Sequence, residues 1–396
     1  MFMKYEIVKM DNMGRGITYV NDLITFVPKT IIGDVVELEI VKENKKYNEA
    51  RVTNYLKRGP LYQDQICPYY HLCGGCDLMN LNYHHQLMYK EERLKDLFLK
   101  YANTKVDPII ISKSELNYRN KITLKVINGE IGLIDLDNHL INIKYCHLVK
   151  DSINNIIKVL PDFKIKNGSV VIRSNYNDEL LIWIVSDDKI VMPDLTDLKV
   201  AGIVLNDETI YGENHFIEHI NNLYFKVSYN SFFQVNNLIN GELFNIINHH
   251  IDDNESVLDL YCGVGTLGIN ASLKAKEVVG IEIVKNAIID ATLNKEINKR
   301  SNIEFLLGDV KNTIEKVDKT FDTVIIDPPR KGIDHDSLNY IINHHINKLI
   351  YIACDPNSLV RDYEKIKDVY DLKNIYLLDM FPNTYHFESI CILERR

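Results

Sequence analysis

Apolar and polar residues alternate over much of residues 1–57, as they do in strands with one buried face. The alternation is clearest in Val35–Ile40, and Gly14, Gly16 and Gly33 supply turns between the apolar segments. Strands this short and this numerous predict a small β-barrel that ends before Gly59. The predicted strands are Tyr5–Met10, Ile17–Val20, Ile24–Val27, Val35–Val41 and Glu49–Tyr55.

A helical period and further strands follow in residues 58–232, which we expect to form a central domain. Apolar residues recur near one face of a predicted helix over residues 82–101, and we expect this helix to pack on the next domain. Short apolar runs separated by polar turns predict a strand-rich region over residues 116–230. The apolar helix positions are Leu87, Leu94, Leu97, Phe98 and Tyr101, and the clearest strands are Ile122–Ile127, Val170–Arg173 and Leu180–Val185.

From about residue 233 apolar strands alternate with helical stretches, which predicts a doubly wound α/β domain over residues 233–396. The fold class is therefore α/β, with a Rossmann-like C-terminal domain behind a small N-terminal barrel and a strand-rich central domain. The predicted strands of the last domain are Val257–Leu260, Val278–Ile281, Ile303–Leu306, Thr323–Ile326 and Leu349–Ala353.

Composition and charge narrow the class of protein. The 396 residues suffice for two or three domains, and no apolar run is long enough to cross a membrane. Nothing suggests secretion, so we expect a cytoplasmic protein in which the seven cysteines serve a metal or catalysis. The net charge of −9 does not fit a general nucleic-acid binder. Residues 1–58, with ten basic and eight acidic residues, leave room for a local basic surface.

A glycine-rich loop follows the first strand of the α/β domain. Gly263, Gly265 and Gly268 fit the G-x-G-x-x-G pattern, and Glu282 ends the next strand, where an acid binds ribose hydroxyls. This pattern alone fits NAD and S-adenosylmethionine equally. The acid before the loop, Asp259, and the later sequence Asp327-Pro328-Pro329 favour the methyl donor.

Two further acidic positions extend the predicted cofactor site. Asp309 follows the third strand, where methyltransferases hold the adenine amino group, although an N-cap of the following helix is the alternative. Asp327 ends the fourth strand and Cys354 ends the fifth, so both side chains are expected in one crevice of an open sheet. This pairing predicts a thiolate nucleophile beside a methyl donor; a buried structural cysteine is the alternative.

The remaining cysteines form a predicted metal site. Cys67, Cys73 and Cys76 have ligand spacing, and glycines between the last two let the chain wrap tightly. Cys146 is the best candidate for a fourth ligand, with His71 a weaker alternative. Four thiolates suit an iron–sulfur cluster or zinc, but a ligand 70 positions beyond Cys76 does not fit a compact zinc ribbon. Cys262 and Cys391 lie in apolar contexts and are expected to be packed thiols.

Taken together, these motifs resemble the S-adenosylmethionine-dependent RNA uridine-5-methyltransferases, in particular the bacterial 23S ribosomal RNA branch that carries an iron–sulfur cluster. The resemblance covers essentially the whole chain and includes a TRAM-like N-terminal barrel. Its motifs are Gly14-Arg15-Gly16, Phe26-Val27-Pro28, Gly33-Asp34, the four cysteines, Tyr118-Arg119-Asn120-Lys121, Phe232-Phe233-Gln234-Val235-Asn236, the glycine loop, Asp327-Pro328-Pro329-Arg330, Cys354-Asp355-Pro356 and Phe381–Glu388.

The resemblance implies a role for each matching residue. Cys354 is the implied nucleophile and Glu388 the implied base. A [4Fe–4S] cluster is implied on Cys67, Cys73, Cys76 and Cys146. The implied partner is 23S ribosomal RNA, with no membrane and a monomeric enzyme. The implied S-adenosylmethionine contacts are Gln234, Tyr261, Gly263, Gly265, Thr266, Glu282, Asp309 and Asp327.

The chemistry explains why such residues are needed. Uracil C5 is a weak nucleophile until a thiolate adds to C6, and the C5 proton must later be removed before the thiolate leaves. We expect the turn after its strand to lower the pKa of Cys354. Glu388 begins a strand that we expect to be antiparallel, which places it at the same sheet edge. The target base must leave its stack to reach this crevice, and appended domains suit RNA recognition.

Other functions remain compatible with these motifs. The same fold methylates transfer RNA uridine or adenine, although Arg330 in place of an aromatic residue weighs against adenine. A non-enzymatic iron–sulfur RNA-binding protein is a further alternative, against which the intact Cys354, Asp327 and Glu388 argue. We place part of the basic RNA-binding surface on residues 1–58 together with Arg119 and Lys121.

Overall fold

A computed structural model gives the fold of residues 4–98, 106–135 and 137–396. The N-terminal segment forms a six-stranded mixed sheet in the order β1-β5-β6-β4-β3-β2, where β4 and β6 are parallel and the other pairs antiparallel. Ile7, Val27, Val36 and Ala50 form its small core. The strands are β1 (Tyr5–Glu6), β2 (Lys9–Met10), β3 (Gly16–Val20), β4 (Leu23–Val27), β5 (Val35–Glu43) and β6 (Tyr47–Lys57).

The prediction of one continuous strand over Tyr5–Met10 is wrong. The chain changes partner near Ile7: β1 pairs with β5, whereas β2 pairs with β3. Ile7 is fully buried, and its N–H donates to the Asp34 carbonyl at 2.9 Å. An alternating pattern indicates which face of a strand is buried. It does not indicate which neighbouring strand forms hydrogen bonds with its backbone.

Helix α1 (Tyr83–Phe98) crosses from the N-terminal half to the C-terminal sheet. Leu94 and Phe98 are buried in the same core as Leu349 and Tyr363 of the α/β layer, because the apolar face of the helix faces that layer. The last predicted residues of this helix, including Tyr101, lie outside the described residues.

The central region is a seven-stranded sheet in the order β13-β12-β11-β10-β7-β8-β9, antiparallel except for the β11–β12 pair. Helix α2 covers one face with Ile153, Ile156 and Ile157. The elements are β7 (Lys121–Ile127), β8 (Glu130–Ile134), β9 (Leu140–Asn142), α2 (Asp151–Val159), β10 (Gly168–Ser174), β11 (Leu180–Val185), β12 (Val200–Leu205) and β13 (Glu208–Gly212).

A hairpin of β14 (His215–Ile220) and β15 (Leu223–Ser228) leads into the C-terminal domain. Although it precedes residue 233, where we predict the domain to begin, its buried side chains Phe216, Phe225 and Val227 share a core with Val257 of the α/β layer. Asn294 and Asp290 on the neighbouring helix accept hydrogen bonds from the β15 backbone, which fixes the hairpin to this layer.

The C-terminal layer is a seven-stranded sheet in the order β18-β17-β16-β19-β20-β22-β21. Its first five strands are parallel, and β22 is antiparallel to both β20 and β21. The elements are α3 (Asn240–His249), β16 (Ser256–Leu260), α4 (Thr266–Ala271), β17 (Glu277–Glu282), α5 (Lys285–Ile297), β18 (Ile303–Leu307), α6 (Val310–Thr313), β19 (Thr323–Ile326), α7 (His335–Asn343), β20 (Lys348–Ala353), α8 (Pro356–Ile366), β21 (Tyr370–Leu378) and β22 (Glu388–Arg395).

These three sheets and their helices establish an α/β fold with mixed, strand-rich layers. Across the ranges that the structure describes, every helix is too short or too polar to span a bilayer.

A buried ion pair joins helix α1 to the connection between β21 and β22. Lys90 Nζ lies 2.6 Å from Asp379 Oδ1, and neither side chain is exposed to solvent. Lys90 also donates to the Phe381 carbonyl at 3.0 Å. The pair therefore fixes the start of the segment that ends at Glu388.

We predict that Lys90→Met destabilises the protein by about 3–5 kcal/mol, because it leaves the Asp379 carboxylate buried without a counter-charge. Urea unfolding measures the change. Lys95→Met is the matched control on the same helix, since the Lys95–Glu91 pair is exposed and is expected to contribute less than about 1 kcal/mol. The double replacement Lys90→Met/Asp379→Leu should recover part of the loss. If Lys90→Met and Lys95→Met lowered the free energy of unfolding by the same amount, the stabilising role of the buried Lys90–Asp379 pair would be contradicted.

Candidate active site

Three candidate catalytic side chains meet at one edge of the C-terminal sheet. Asp327 follows β19 and Cys354 follows β20, while Glu388 begins the antiparallel strand β22. The register pairs Ala353 with Ser389, which sets Cys354 beside Glu388, and the Ser389 hydroxyl donates to the Ala353 carbonyl at 3.0 Å. The expectation that β22 is antiparallel is confirmed, and all three side chains line one cavity of about 940 Å³.

Most of the predicted cofactor residues line the same cavity. Gln234, Tyr261, Gly263 and Glu282 are in its wall with Asp327. Thr266 lines a smaller adjoining cavity that shares Gln234, Tyr261, Gly263 and Asp327. Gly265 and Asp309 line neither cavity. The Asp309 carboxylate accepts from the Lys311 N–H at 3.2 Å and caps helix α6, the alternative that the sequence left open.

The glycine loop has the backbone geometry that a ligand needs. Gly263 adopts a φ of +54°, and a Cβ added there would meet no atom within 4 Å, so open space lies over its backbone. A Cβ on Gly268 would lie 2.8 Å from Asp259 Oδ2, which explains the third glycine by close packing. Glu282 accepts hydrogen bonds from the Gly263 and Val284 N–H groups. The loop and the acid are thus one unit that faces open space, which fits a nucleoside-bearing ligand.

Buried acids dominate the electrostatics of this edge. Burial raises the pKa of Asp259 to about 8 and that of Asp327 to about 7. Burial and the charge of Asp327 raise the pKa of Glu388 well above the ordinary value, whereas Arg330 opposes the rise. Glu388 Oε2 is buried without a hydrogen-bond partner in the described residues, and Glu388 lines the large cavity. An orphaned oxygen at this place fits a site whose partner arrives with a ligand.

The expectation that the strand-end turn lowers the pKa of Cys354 is wrong for the free protein. Burial raises this pKa to about 11, and the charges of Glu388 and Asp327 act in the same direction. The turn does not compensate, because the Asp355 carboxylate already accepts from the Asn357 N–H at the start of α8. The cation that favours the thiolate is Arg330.

The sequence reasoning missed residues that also line this cavity. From the sequence, Arg330 serves only as an argument against adenine as the substrate. In the structure its charge opposes the rise in the pKa of both Cys354 and Glu388. His386 lines the same cavity, and burial with the nearby charges of Arg330 and Arg93 lowers its pKa to about 4. Phe232 is 66% exposed and lines both cavities. Each of the three residues belongs to a motif recognised in the sequence. A position within a motif, however, does not show which side chains point into the cavity.

The four predicted metal ligands line a separate cavity of about 230 Å³. Burial raises the pKa of the Cys67 and Cys146 thiols and raises that of Cys76 further. His71 does not line this cavity and instead lies 2.9 Å from the Gln65 amide nitrogen. Cys262 and Cys391 are buried, as expected of packed thiols.

The four thiols are not drawn together in the unliganded protein, since over the described ranges no three of their sulfurs lie within 4.8 Å of one another. All four nevertheless line one cavity, and four thiolates suit either zinc or an iron–sulfur cluster.

Comparisons with known proteins agree with this geometry. The family model for tRNA (uracil-5-)-methyltransferases matches residues 199–396. An uncharacterised RNA methyltransferase of Clostridium tetani is 30% identical, over 98% of this chain and 95% of its own. One from Aquifex aeolicus is also 30% identical, over 99% of this chain and 98% of its own.

A solved structure resembles the whole fold. The Pyrococcus abyssi tRNA (uracil-54, C5)-methyltransferase, in complex with S-adenosyl-L-homocysteine, matches with a TM-score of 0.84 and 26% identity over 99% of each chain. The family match, the full-length relatives and this structure lead to one conclusion: the chain belongs to the tRNA (uracil-5-)-methyltransferase family and is an S-adenosylmethionine-dependent RNA (uracil-5-)-methyltransferase.

Proposed function

We propose that this enzyme methylates C5 of a uridine in 23S ribosomal RNA through a covalent bond between Cys354 and C6 of the base. The observation that carries the mechanism is the convergence of Cys354, Glu388 and Asp327 in one cavity with the glycine loop. The ribosomal target rests on the resemblance of the four-cysteine set and the N-terminal segment to the iron–sulfur branch of the family.

Cys354 is the proposed nucleophile. After the thiol proton has passed to solvent, the Cys354 sulfur adds as a thiolate to C6 of uracil, and the electron pair of the C5–C6 double bond moves into the ring carbonyl as an enolate, which makes C5 nucleophilic. Since the thiolate is disfavoured in the free enzyme, Arg330 has the task of stabilising it. S-adenosylmethionine supplies an electrophilic methyl group when it is bound.

Glu388 is the proposed general base. Once C5 carries the methyl group, its proton must leave so that the C5–C6 double bond forms again and the Cys354–C6 bond breaks. A carboxylate whose pKa is raised is a stronger proton acceptor than an ordinary one. The free Glu388 Oε2, buried beside Cys354, has no other described partner that would compete for the proton.

The glycine loop and the strand-end acids are the proposed cofactor contacts. We assign the ribose to Glu282, the adenine amino group to Asp309, and further contacts to Gln234, Tyr261, Thr266 and Asp327, with close backbone approach at Gly263 and Gly265. Asp309 now accepts a hydrogen bond from the Lys311 N–H at the start of α6. This assignment requires the carboxylate either to bind the adenine amino group in addition to this N–H or to replace this N–H with it.

The four cysteines are the proposed ligands of a [4Fe–4S] cluster. The shared cavity supports a metal group on these cysteines, and the choice of a cluster over zinc rests on the resemblance to the iron–sulfur branch of the family. Because none of the four cysteines lines the cavity that holds Cys354, although Gly75 and Arg119 line both cavities, we assign the cluster a structural role.

Transfer RNA is the second candidate substrate. The specific observation in its favour is the likeness over the full length to a structure described as a tRNA (uracil-54, C5)-methyltransferase. For either RNA the target base must be extruded to reach Cys354, and we propose that residues 1–57 with Arg119, which lines the cavity, contact the phosphates.

We predict that 5-methyluridine disappears from one or more positions of 23S ribosomal RNA when this gene is deleted. Mass mapping of ribosomal and transfer RNA from cells with and without the gene measures this, and re-expression of wild type, but not of Cys354→Ala, should restore the modification. Loss confined to transfer RNA would establish the second candidate and refute the ribosomal target.

We predict that Glu388→Gln stalls the reaction after methyl transfer. The amide cannot accept the C5 proton, so a protein–RNA adduct that survives denaturing electrophoresis should accumulate, with turnover reduced at least about 100-fold. Glu388→Gln/Cys354→Ala is the control and should form no adduct. Normal turnover of the single variant would show that another group removes the proton.

We predict that Arg330→Met reduces the rate of methyl transfer about tenfold, since it removes the charge that favours the thiolate of Cys354. Because the pKa of Cys354 is about 11 in the free protein, both enzymes are mostly in the thiol form from about pH 7 to 9, so both rates should rise with pH while the deficit in kcat stays constant. Arg330→Lys keeps the charge and should retain most of the rate. A deficit confined to KM for RNA, with kcat unchanged, would instead mean that Arg330 only binds phosphate.

A further inference from the structure

Lys29, in the connection between β4 and β5, combines two costly features. Its side chain is almost fully buried, with 8% exposed. Its backbone adopts a φ of +63°, a left-handed conformation that glycine takes without strain and a lysine does not. A strained, buried lysine in a turn suggests that its side chain performs a task there.

The side chain of Lys29 reaches into the cysteine loop. Its Nζ donates to the Cys73 carbonyl at 3.0 Å and to the Cys76 carbonyl, and it lies 4.6 Å above the Tyr70 ring. The ammonium thus lies directly against the backbone that presents two of the four thiols.

The charge of this ammonium is not balanced by a close carboxylate. Within the described part of the chain, no carboxylate oxygen lies within 4.0 Å of Lys29 Nζ. The acidic residue that acts on it is Asp77, from beyond that distance. A buried cation without an adjacent anion is costly, and Lys29 binds the carbonyls of two residues that present thiols to the cysteine cavity, so negative charge in that cavity would stabilise the ammonium.

We propose that Lys29 is the counter-cation of the metal group held by the four cysteines, and that it attaches the N-terminal sheet to that group. The inference rests on the proposed cluster. A [4Fe–4S] core with four thiolates has a net charge of about −2 and becomes more negative on one-electron reduction. The nearby ammonium therefore stabilises the reduced form more than the oxidised form and raises the reduction potential.

The backbone around Lys29 extends this link in both directions. The Lys29 carbonyl accepts from Tyr55 Oη in β6 and from Asn80 Nδ2 after the cysteine loop, both at 2.9 Å. On its other side the loop donates from the Asp77 and Leu78 N–H groups to the Asn383 carbonyl, five residues before Glu388. Occupancy of the cysteine site is thereby connected to the position of the N-terminal sheet and to the segment that carries the proposed base.

The test compares charge variants of the anaerobically purified full-length protein. Lys29→Met removes the charge and keeps the length, Lys29→Gly removes both the charge and the backbone strain, and Lys29→Arg keeps the charge. Lys46→Met, in the exposed turn between β5 and β6, is the matched control. Iron and sulfide content, the midpoint potential in a dithionite titration, and hydrogen exchange of β3 and β4 with and without iron are the readouts.

We expect Lys29→Met and Lys29→Gly to shift the midpoint potential to more negative values by about 59 mV or more, a tenfold change in the one-electron equilibrium. Lys29→Arg and Lys46→Met should keep the wild-type value. Removal of iron should raise hydrogen exchange in β3 and β4 of the wild type more than in Lys29→Met, since only the wild type then has an uncompensated buried charge. Should Lys29→Met fail to fold, Lys29→Gly provides the same charge removal without strain.

The outcomes separate this inference from the cluster proposal. Wild-type protein with zinc or without iron refutes the cluster and the counter-cation together. If the wild type contains iron and its midpoint potential is the same as those of Lys29→Gly, Lys29→Arg and Lys46→Met, the counter-cation role alone is refuted. Lys29 would then only connect two loops through hydrogen bonds.

Discussion

The position of Glu388 depends on the clamp that holds residues 379–387. The segment connects two adjacent strands, yet its contacts come from distant parts of the chain. Lys90 binds Asp379 and Phe381, Tyr118 Oη donates to the Pro382 carbonyl at 3.0 Å, and Asn236 Nδ2 donates to the Met380 carbonyl at 3.0 Å. Gln86 and the Asp77 and Leu78 N–H groups hold Asn383. Helix α1, the cysteine loop and the segments that precede β7 and α3 therefore act together on the strand that presents the proposed base.

This clamp gives the appended regions a role beyond RNA contact. Arg93 on α1 donates to the Tyr385 carbonyl at 2.9 Å, and Tyr385 and His386 both line the cavity that contains Cys354. Gly74, Gly75 and Asp77 of the cysteine loop line the same cavity. Loss of the proposed metal group would disturb this wall, which is a physical reason for assigning that group a structural role.

The sequence predicted the features that depend on local pattern and strand direction. Asp327, Cys354 and Glu388 were placed at one edge because parallel strands end, and an antiparallel strand begins, on the same side of a sheet. What depends on partners distant in sequence was not predictable. The partner change at Ile7, the packing of β14 and β15 on the α/β layer and the buried side chain of Lys29 belong to this class. The raised pKa of Cys354 was missed for a similar reason, since it results from burial and from two acids on other strands.

The proposed covalent step through Cys354 can be trapped with 5-fluorouridine in the RNA. Fluorine at C5 cannot be removed as a proton is, so the wild-type enzyme should remain bound to its target after methyl transfer. Transcripts of 23S ribosomal RNA and of transfer RNA containing 5-fluorouridine are incubated with enzyme and S-adenosylmethionine, digested with nuclease and examined by peptide mass spectrometry. We expect a methylated 5-fluorouridine nucleotide attached to Cys354, from the ribosomal transcript. Attachment to another residue, or methyl transfer without any covalent product, would contradict the proposed covalent step.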